Sequence, residues 1–261
     1  MRIQDVIAVL EKVAPPHLQE SYDNAGLIVG DPNTEVTGIL FCLDSTEAVV
    51  EEALALGCNL VVAHHPIVFR GLKRFNGASY VERTVMQAIR HDVALYAIHT
   101  NLDNVYYQGV NGKIAEKLGL QDTRILAPKA GQTEIGAGML GVLPQPMAET
   151  DFLRHVKTAL QASCVRYTAL REKPVKTVAV CGGSGSFLLS EALKAGADAF
   201  VTADFKYHEF FDAEGKLVIA DIGHFESEQF TIELLFQIIR ENFPTFALHC
   251  TKVNTNPVHY L

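Results

Sequence analysis

The chain has 261 residues, of which 48% are apolar and 20% are charged. This balance is typical of a folded globular protein and argues against a disordered chain. The net charge is −8 and no run of lysines or arginines occurs, so a nucleic-acid partner is not expected. No uninterrupted apolar stretch is long enough to cross a bilayer, so a membrane partner is not expected either.

The chain begins with an amphipathic segment rather than a signal peptide. Its apolar side chains recur at the helical spacing of Ile3, Val6, Ile7, Leu10 and Val13. Pro15 and Pro16 follow, which predicts that this first helix ends before them. The five cysteines are odd in number and lack C-x-x-C spacing, which favours reduced, structural thiols in a cytoplasmic protein.

An internal repeat predicts the architecture. Residues 36–65 match residues 175–204 without a gap, including a shared Glu-Ala-Leu triplet. Each copy has the pattern of a strand, a helix ended by glycine and a second strand, so the two strands should be parallel. The repeat predicts a duplicated α/β fold with halves at 1–128 and 129–261, which either form separate domains or share one core.

Further elements follow each copy. An apolar strand is predicted within 91–104 and another within 214–228. A short helix ending near Gly119 should follow the first, and a helix from about 226 to 242 should follow the second. Another strand is predicted within 133–143.

Histidine and carboxylate side chains occur just beyond the predicted carboxyl ends of these strands, where open α/β sheets bind ligands. They are His64, His65, His99, Asp103, His224 and Glu228. Adjacent His64 and His65 can serve one cavity only where their strand ends. His224 and Glu228 are four residues apart, which places both side chains on one helix face.

Each of these motifs also has a structural interpretation. His64 and His65 fit one core and one surface histidine, and Asp103 fits a helix N-cap. The helix dipole favours Glu228 near a helix start but disfavours His224 there. Because both copies place such residues at the same edge, the sequence favours a metal site.

The donor types narrow the choice of metal. Nitrogen and carboxylate donors without thiolate suit Zn, Mn, Fe, Co or Ni rather than Ca. Three histidines and two carboxylates exceed the needs of one catalytic ion, which predicts two divalent metal ions per chain.

Two other segments are ambiguous. The glycine-rich turn at 181–186 either binds a phosphate or carboxylate through its N–H groups or is a tight connection. Residues 202–208 take the place of His64 and His65 in the second copy. They either contact a substrate or form an ordinary strand end.

Several motifs together resemble the NIF-three-like family, whose members are described as GTP cyclohydrolase 1 type 2 homologs. They are SYDNAGLIVG (21–30), VVAHHPIVF (61–69), HTNLDN (99–104), GVNGKIAEKLGL (109–120), VAVCGGSG (178–185), VTADFKYHE (201–209), DIGHFESE (221–228) and TNPVHYL (255–261). The resemblance covers nearly the whole chain. It implies a duplicated α/β fold, a dinuclear metal centre and homohexamers built as trimers of dimers.

The resemblance also implies roles for individual residues. The metal ligands would be His64, His65, Asp103, His224 and Glu228, with Glu228 bridging two ions. His99 would lie beside the centre as a partner of a ligand or a proton carrier, and Asp23 and Asn24 would approach it. Longer relatives carry a domain inserted between the halves, whereas residues 125–133 join them directly here.

Two functions are consistent with such a site. The resemblance favours a metal-dependent hydrolase acting on a nucleotide-like or other heterocyclic small molecule. The alternative is a non-enzymatic metal-handling or regulatory protein. Open coordination positions facing a cavity with Asp23, Asn24, Lys206 and Tyr207 would favour the enzyme, and a closed, water-free site would favour the alternative.

Overall fold

The computed structural model describes residues 1–261. The helices are α1 (Ile3–Val13), α2 (Glu47–Ala55), α3 (Tyr80–Arg90), α4 (Thr100–Asp103), α5 (Val110–Leu118), α6 (Glu149–Ala159), α7 (Leu189–Lys194), α8 (His224–Glu228) and α9 (Thr231–Asn242). The strands are β1 (Gly26–Val29), β2 (Ile39–Asp44), β3 (Leu60–His65), β4 (Ala94–Ala97), β5 (Gln121–Pro128), β6 (Gly136–Met147), β7 (Arg166–Tyr167), β8 (Val175–Ser184), β9 (Ala199–Ala203), β10 (Val218–Asp221) and β11 (Leu248–Cys250). Short 3-10 helices occur at Pro16–Leu18, Ser186–Leu188 and Tyr207–Ala213.

The strands form two sheets in two compact units. Unit 1 comprises residues 1–102 and 231–257, and unit 2 comprises residues 103–230 and 258–261. Unit 1 contains a five-stranded sheet in the order β1-β4-β3-β2-β11. Unit 2 contains a six-stranded sheet in the order β5-β6-β8-β9-β10-β7. This is a mixed α/β fold, as the sequence predicts.

Both copies of the repeat form the predicted βαβ unit. In unit 1, β2 and β3 are parallel and α2 joins them. In unit 2, β8 and β9 are parallel and α7 lies between them. Ile39 lies opposite Leu60 in the first pair, and Val178 lies opposite Ala199 at the equivalent positions of the second. This common register supports a duplication, which remains a prediction.

The helix predicted from about 226 to 242 ends at Asn242 as expected, but a break that was not predicted divides it into two helices. Helix α8 ends at Glu228, and α9 begins at Thr231. The apolar face of α9, which includes Leu234, Leu235 and Ile238, is buried. This helix packs on α1, β2 and β3 of unit 1, so its apolar face is covered by the first sheet.

The compact units therefore follow packing rather than chain order. Their bounds differ from the expected halves 1–128 and 129–261, because residues 103–128 pack in unit 2 and α9 packs on the sheet of unit 1. The expected halves describe where a duplication would divide the sequence, and this division remains a prediction.

Other local predictions agree with the structure. Helix α1 ends at Val13 before the two prolines, and Ile3, Val6 and Leu10 are its buried residues. Helix α5 ends at Leu118, with Gly119 in the left-handed conformation after it. The strand predicted within 133–143 is β6.

The parallel strands at the centre of each sheet are almost completely buried. Strand β3 is buried from Leu60 to His64, and only its last residue, His65, is partly exposed. Strand β9 is buried along its whole length. Burial on both faces explains the continuous apolar runs of these strands. Polar side chains therefore first occur at the point where each strand leaves the core.

All five cysteines are free. Cys42, Cys58 and Cys181 are buried, which agrees with the predicted structural role of thiols in apolar strands. Cys164 and Cys250 are exposed. The helices of this chain are too short or too polar to cross a bilayer.

A buried ion pair in unit 2 provides a test of the packing. The Glu149 carboxylate accepts hydrogen bonds from the Arg171 guanidinium Nε at 3.0 Å and from the backbone N–H of Glu172 at 3.0 Å. The side chains of Glu149 and Arg171 are only 4% and 7% exposed. Because Glu149→Ala leaves this buried guanidinium with less counter-charge, we expect a loss of about 3–5 kcal/mol in the free energy of unfolding.

Urea denaturation measures this loss, and Asp151→Ala is the matched control. Asp151 lies in the same helix, but its ion pair with Arg154 is exposed. Its removal should cost less than about 1 kcal/mol. Equal losses for the two variants would contradict the structural role of the buried pair.

Candidate metal centre

Three imidazoles lie together in unit 1. His64 and His65 are the last two residues of β3, and His99 follows the neighbouring parallel strand β4. The ring centroids of His64 and His65 are 4.8 Å apart, and His99 lies 5.3 Å and 5.2 Å from them. One ring nitrogen from each lies within 4.8 Å of the others. The ends of adjacent parallel strands therefore assemble a group of nitrogen donors.

Oxygen acceptors fix the orientation of His64 and His65. His64 Nδ1 lies 2.8 Å from the carbonyl oxygen of Ile98, and His65 Nδ1 lies 2.8 Å from Asp44 Oδ1. A proton held at Nδ1 leaves Nε2 as the nitrogen that can bind a metal ion. Ligating histidines in metalloproteins characteristically make such a bond.

Asp23 orients His99 in the same way. His99 Nδ1 lies 2.8 Å from Asp23 Oδ1, while Asp23 Oδ2 accepts hydrogen bonds from the Thr100 backbone N–H and hydroxyl. Burial opposes ionisation of Asp23, but the hydrogen bonds from His99 and Thr100 outweigh it and lower its pKa to about 2. Asp23 is therefore a carboxylate at neutral pH and can stabilise a protonated His99.

Asn24, the second residue of the predicted D-N motif, has a different role. Its Nδ2 donates to the carbonyl oxygen of Val68 at 2.6 Å and so anchors the loop that follows β3. The ring of Phe69, the next residue, lies 6.2 Å from His99. Asp23 thus contacts a site histidine directly, whereas Asn24 shapes the loop beside it.

Unit 2 contains a second group of donors. His224 and Glu228 lie on α8, and His224 Nε2 is 3.1 Å from Glu228 Oε2, as the spacing of four residues predicts. His224 Nδ1 lies 2.7 Å from Asp204 Oδ2. Burial opposes protonation of His224, but Glu228 and Asp204 outweigh it and raise its pKa to about 11. An ion bound at Nε2 would therefore take the place of a proton.

Glu228 is common to two close pairs of donors. Its carboxylate lies within 4.8 Å of a ligand atom of Asp103 and of one of His224. Both Glu228 and Asp103 are near the buried thiol of Cys181, and after burial itself they are the causes that raise the pKa of that thiol. The position of Glu228 between two other donors suits a shared ligand.

Asp103 does not begin a helix, so its predicted role as an N-cap is wrong. It is the last residue of the four-residue helix α4, and the next helix begins at Val110 with Gly109 as its N-cap. The carbonyl oxygen of Asp103 accepts a hydrogen bond from Asn111 Nδ2 at 3.0 Å. This bond fixes the backbone of Asp103 against helix α5.

The glycine-rich turn gives Glu228 room. A Cβ atom on Gly183 would lie closer than 3.0 Å to Glu228 Oε1, and the φ angle of +62° also favours glycine at this position. The N–H of Gly182 donates to Asn111 Oδ1 at 3.0 Å, and that of Gly183 donates to Ser227 Oγ at 2.9 Å. These two N–H groups therefore bind protein side chains rather than forming a phosphate cradle.

Sequence reasoning did not identify the roles of Asp44 and Asp204. Asp44 ends β2 and lies opposite His65 in the parallel register. Asp204 occupies the repeat position of His65 and has a left-handed backbone with φ of 59°. The available signal was the repeat position shared with His65 for Asp204, and a carboxylate at a predicted strand end for Asp44.

Within the segment 202–208, Asp204 makes the contact with His224 described above. Lys206 and Tyr207 are exposed, and the Lys206 backbone N–H binds Glu209. Tyr207 instead lines a groove of about 610 Å³ with Phe210 and Phe211. The predicted substrate contacts of Lys206 and Tyr207 remain predictions.

The donor set fits divalent transition-metal ions. Each of the four histidines places Nδ1 against an oxygen acceptor, and carboxylates supply the remaining donors.

The family model for Duf34/NIF3 (NGG1p interacting factor 3) matches residues 1–257. The chain belongs to the Duf34/NIF3 family. A relative from Clostridium perfringens, named GTP cyclohydrolase 1 type 2 homolog, is 36% identical over 229 residues, which cover 87% of each chain. A relative of the same name from Streptomyces coelicolor is 33% identical over 266 residues, with 98% of this chain and 93% of the relative covered.

Solved structures of Duf34/NIF3 relatives share the fold. A Bacillus cereus protein related to NIF3 has a TM-score of 0.94 at 26% identity and covers 100% of this chain and 99% of its own. A Staphylococcus aureus protein has a TM-score of 0.93 at 29% identity with the same coverage. The alignment with a Staphylococcus epidermidis relative extends over 367 positions, so some relatives are longer than these 261 residues.

Two glycines allow a test of the close packing on Glu228. Gly183 and Gly196 both have positive φ angles, +62° and +70°, but a Cβ on Gly196 would meet nothing within 4 Å. Backbone strain should cost about 1–2 kcal/mol in either alanine variant. We expect Gly183→Ala to lose more stability than Gly196→Ala, because its Cβ also displaces Glu228. Urea denaturation of both variants checks this difference, and equal losses would show that Glu228 does not pack on Gly183.

Proposed function

We propose that this chain is a metal-dependent hydrolase that holds two divalent ions. The proposed ligands are His64, His65, Asp103, His224 and Glu228. The observation that carries the proposal is the common orientation of the imidazoles, whose Nδ1 atoms lie 2.7–2.8 Å from oxygen acceptors. A histidine that serves only for packing needs neither ring nitrogen fixed, whereas a metal ligand needs one nitrogen protonated and held so that the other can bind the ion.

Two ions account for the donors better than one. A catalytic ion needs about three protein ligands and keeps a position open for water or substrate. Five donors exceed that number. Glu228 lies close to donors on two other residues, Asp103 and His224, which supports its role as the shared carboxylate. Zn, Mn, Fe, Co and Ni all suit nitrogen and carboxylate donors.

His99 has the position and partner of a proton carrier. Bound divalent ions would supply Lewis acidity, which polarises a substrate carbonyl or imine and activates water. His99 lies beside His64 and His65, and its Nε2 can accept a proton from the attacking water and return it to the leaving group. Buried, ionised Asp23 holds Nδ1 and stabilises the imidazolium that forms.

An aromatic pair beside His99 supports a planar substrate. The Phe69 ring lies 6.2 Å from His99 and 6.3 Å from the Tyr22 ring. Phe69 and Tyr22 are 46% and 63% exposed, so their faces are accessible to a heterocycle. Relatives carry the name GTP cyclohydrolase 1 type 2 homolog, which agrees with a nucleotide-like or related heterocyclic substrate.

The remaining expectations from the resemblance are also part of this proposal. They are a homohexamer built as a trimer of dimers, a cytoplasmic location and a small-molecule substrate. The alternative function is metal handling without catalysis. A high proton affinity of His224 without metal would couple ion uptake to proton release, which suits a carrier as well as an enzyme.

Metal content tests the proposed centre directly. Elemental analysis of replete protein should give about two ions per chain. His224→Ala should remove one of them, whereas Glu228→Ala should weaken both because it removes the shared ligand. His91→Ala is the control, since His91 is exposed at the end of α3. Wild-type protein that never holds more than one ion per chain would contradict the dinuclear proposal.

The role of His99 is tested by separating metal content from turnover. A screen of replete protein against nucleotides and small cyclic amides first identifies a hydrolysed substrate. His99→Ala should then retain two ions but lower turnover about 10²–10⁴-fold, the range of general acid–base catalysis. Loss of an ion from this variant would instead make His99 a ligand. Absence of turnover in wild type, with ready transfer of its ions to a chelator, would favour the metal-handling alternative.

A further inference from the structure

The segment that follows β11 has a defined conformation and no assigned role. The Thr251 backbone N–H donates to the carbonyl oxygen of Phe41 at 2.9 Å, which ties the segment to β2. The Val253 N–H donates to Thr251 Oγ1 at 3.1 Å, and the Asn256 N–H donates to Asn254 Oδ1 at 3.0 Å. These local bonds shape the chain on either side of Thr255.

Thr255 is connected to a candidate ligand through a carboxylate. Its hydroxyl donates to Asp44 Oδ2 at 2.7 Å. The other oxygen of Asp44, Oδ1, lies 2.8 Å from Nδ1 of His65. Each carboxylate oxygen thus has its own partner, and the three side chains form a continuous series within unit 1.

Asp44 depends on a second hydrogen bond for its orientation more than Asp23 does, the carboxylate that contacts His99. The Asp23 side chain is completely enclosed, so its surroundings fix its rotamer. The Asp44 side chain is 36% exposed, and water can compete for its oxygens. A hydroxyl that holds Oδ2 restricts rotation of the carboxylate and so keeps Oδ1 directed at His65.

We propose that Thr255 is a positioning residue for the metal ligand His65, acting through Asp44. This inference rests on the proposed metal-binding function. The Thr255 hydroxyl fixes the Asp44 carboxylate, which holds the proton of His65 at Nδ1 and keeps Nε2 available to the ion. The C-terminal segment thereby raises the affinity of the centre without supplying a ligand.

In unit 2, residues 258–261 contact the helix that carries His224 and Glu228. The Tyr260 hydroxyl forms a hydrogen bond with the buried Glu226, which lies on α8 between His224 and Glu228. Gly223 leaves space for this pair, because a Cβ there would lie closer than 3.0 Å to Glu226 Oε2 and to the Tyr260 hydroxyl. In unit 2 this contact fixes the last residues of the chain.

The test compares zinc affinity in three full-length variants prepared without metal. Thr255→Val has nearly the shape of threonine but no hydroxyl, and it should weaken zinc binding about tenfold, the lower end of the range for outer partners of ligands. Thr255→Ser keeps the hydroxyl and should bind like wild type. Thr37→Val is the control, since its hydroxyl donates to the carbonyl oxygen of Gly57 and lies outside the segment that carries Thr255. Competition with a chromophoric chelator measures each dissociation constant.

A double-mutant cycle with His65→Ala separates positioning from general structural damage. Thr255→Val should add no further weakening in the His65→Ala background, because the residue it positions is absent. Wild-type zinc affinity for Thr255→Val, zinc affinity of Thr255→Ser as low as that of Thr255→Val, or equal weakening by Thr37→Val would each overturn the inference. If wild type binds no zinc or other divalent ion, the proposed function itself fails.

Discussion

A neutral imidazole has two ring nitrogens, and only one of them is protonated. A hydrogen-bond acceptor beside one nitrogen keeps the proton there and leaves the other nitrogen for a metal ion. In this protein the acceptor lies at Nδ1 in each candidate site histidine. One acceptor is a backbone carbonyl and three are aspartates. The proposed chemistry depends on these bonds, because five correct ligand types in the wrong orientation would not form a centre. The folded chain therefore has to position the acceptors as accurately as the ligands themselves.

The sheet topology supplies that positioning. Strands β2, β3 and β4 are parallel neighbours. Asp44, His65 and the end of β4, which leads to His99, therefore lie at one edge of the first sheet. In unit 2 the equivalent edge presents Asp204 after β9, with His224 following β10. Acceptor and ligand follow each other in the same order in both copies, but the pair is shifted by one strand, from β2 and β3 in unit 1 to β9 and β10 in unit 2. The carboxyl ends of neighbouring parallel strands can thus hold a histidine–aspartate pair on either of two strand pairs.

Part of this arrangement could be predicted from the sequence. The repeat predicts two βαβ units, the adjacent histidines indicate a strand end, and the spacing of His224 and Glu228 indicates a common helix face. These signals are local, and the structure agrees with each of them. The sequence also selects Asp103 as a candidate ligand, although it predicted wrongly that this residue begins a helix.

The rest depends on contacts between residues distant in sequence. Periodicity predicts the apolar face of the helix after residue 230, but it does not identify the sheet that covers this face. It also does not show the break between α8 and α9. The partnership of Asp44 with His65 joins different strands. That of His224 with Asp204 joins α8 to the end of β9. No spacing rule identifies such pairs without knowledge of the strand register.

The three aspartates show how equivalent bonds can differ in strength. Asp23 is enclosed and receives several hydrogen bonds, which hold it ionised. Asp204 is nearly half exposed, and the hydrogen bond from His224 is the main cause that lowers its pKa. Asp44 is intermediate in exposure and is held by a hydroxyl from the C-terminal segment. Because an enclosed carboxylate orients its histidine more rigidly than an exposed one, the imidazoles differ in how firmly they are held. Rigid support suits His99, which must return to one geometry after each proton transfer, whereas a ligand such as His65 is also restrained by the ion that it binds.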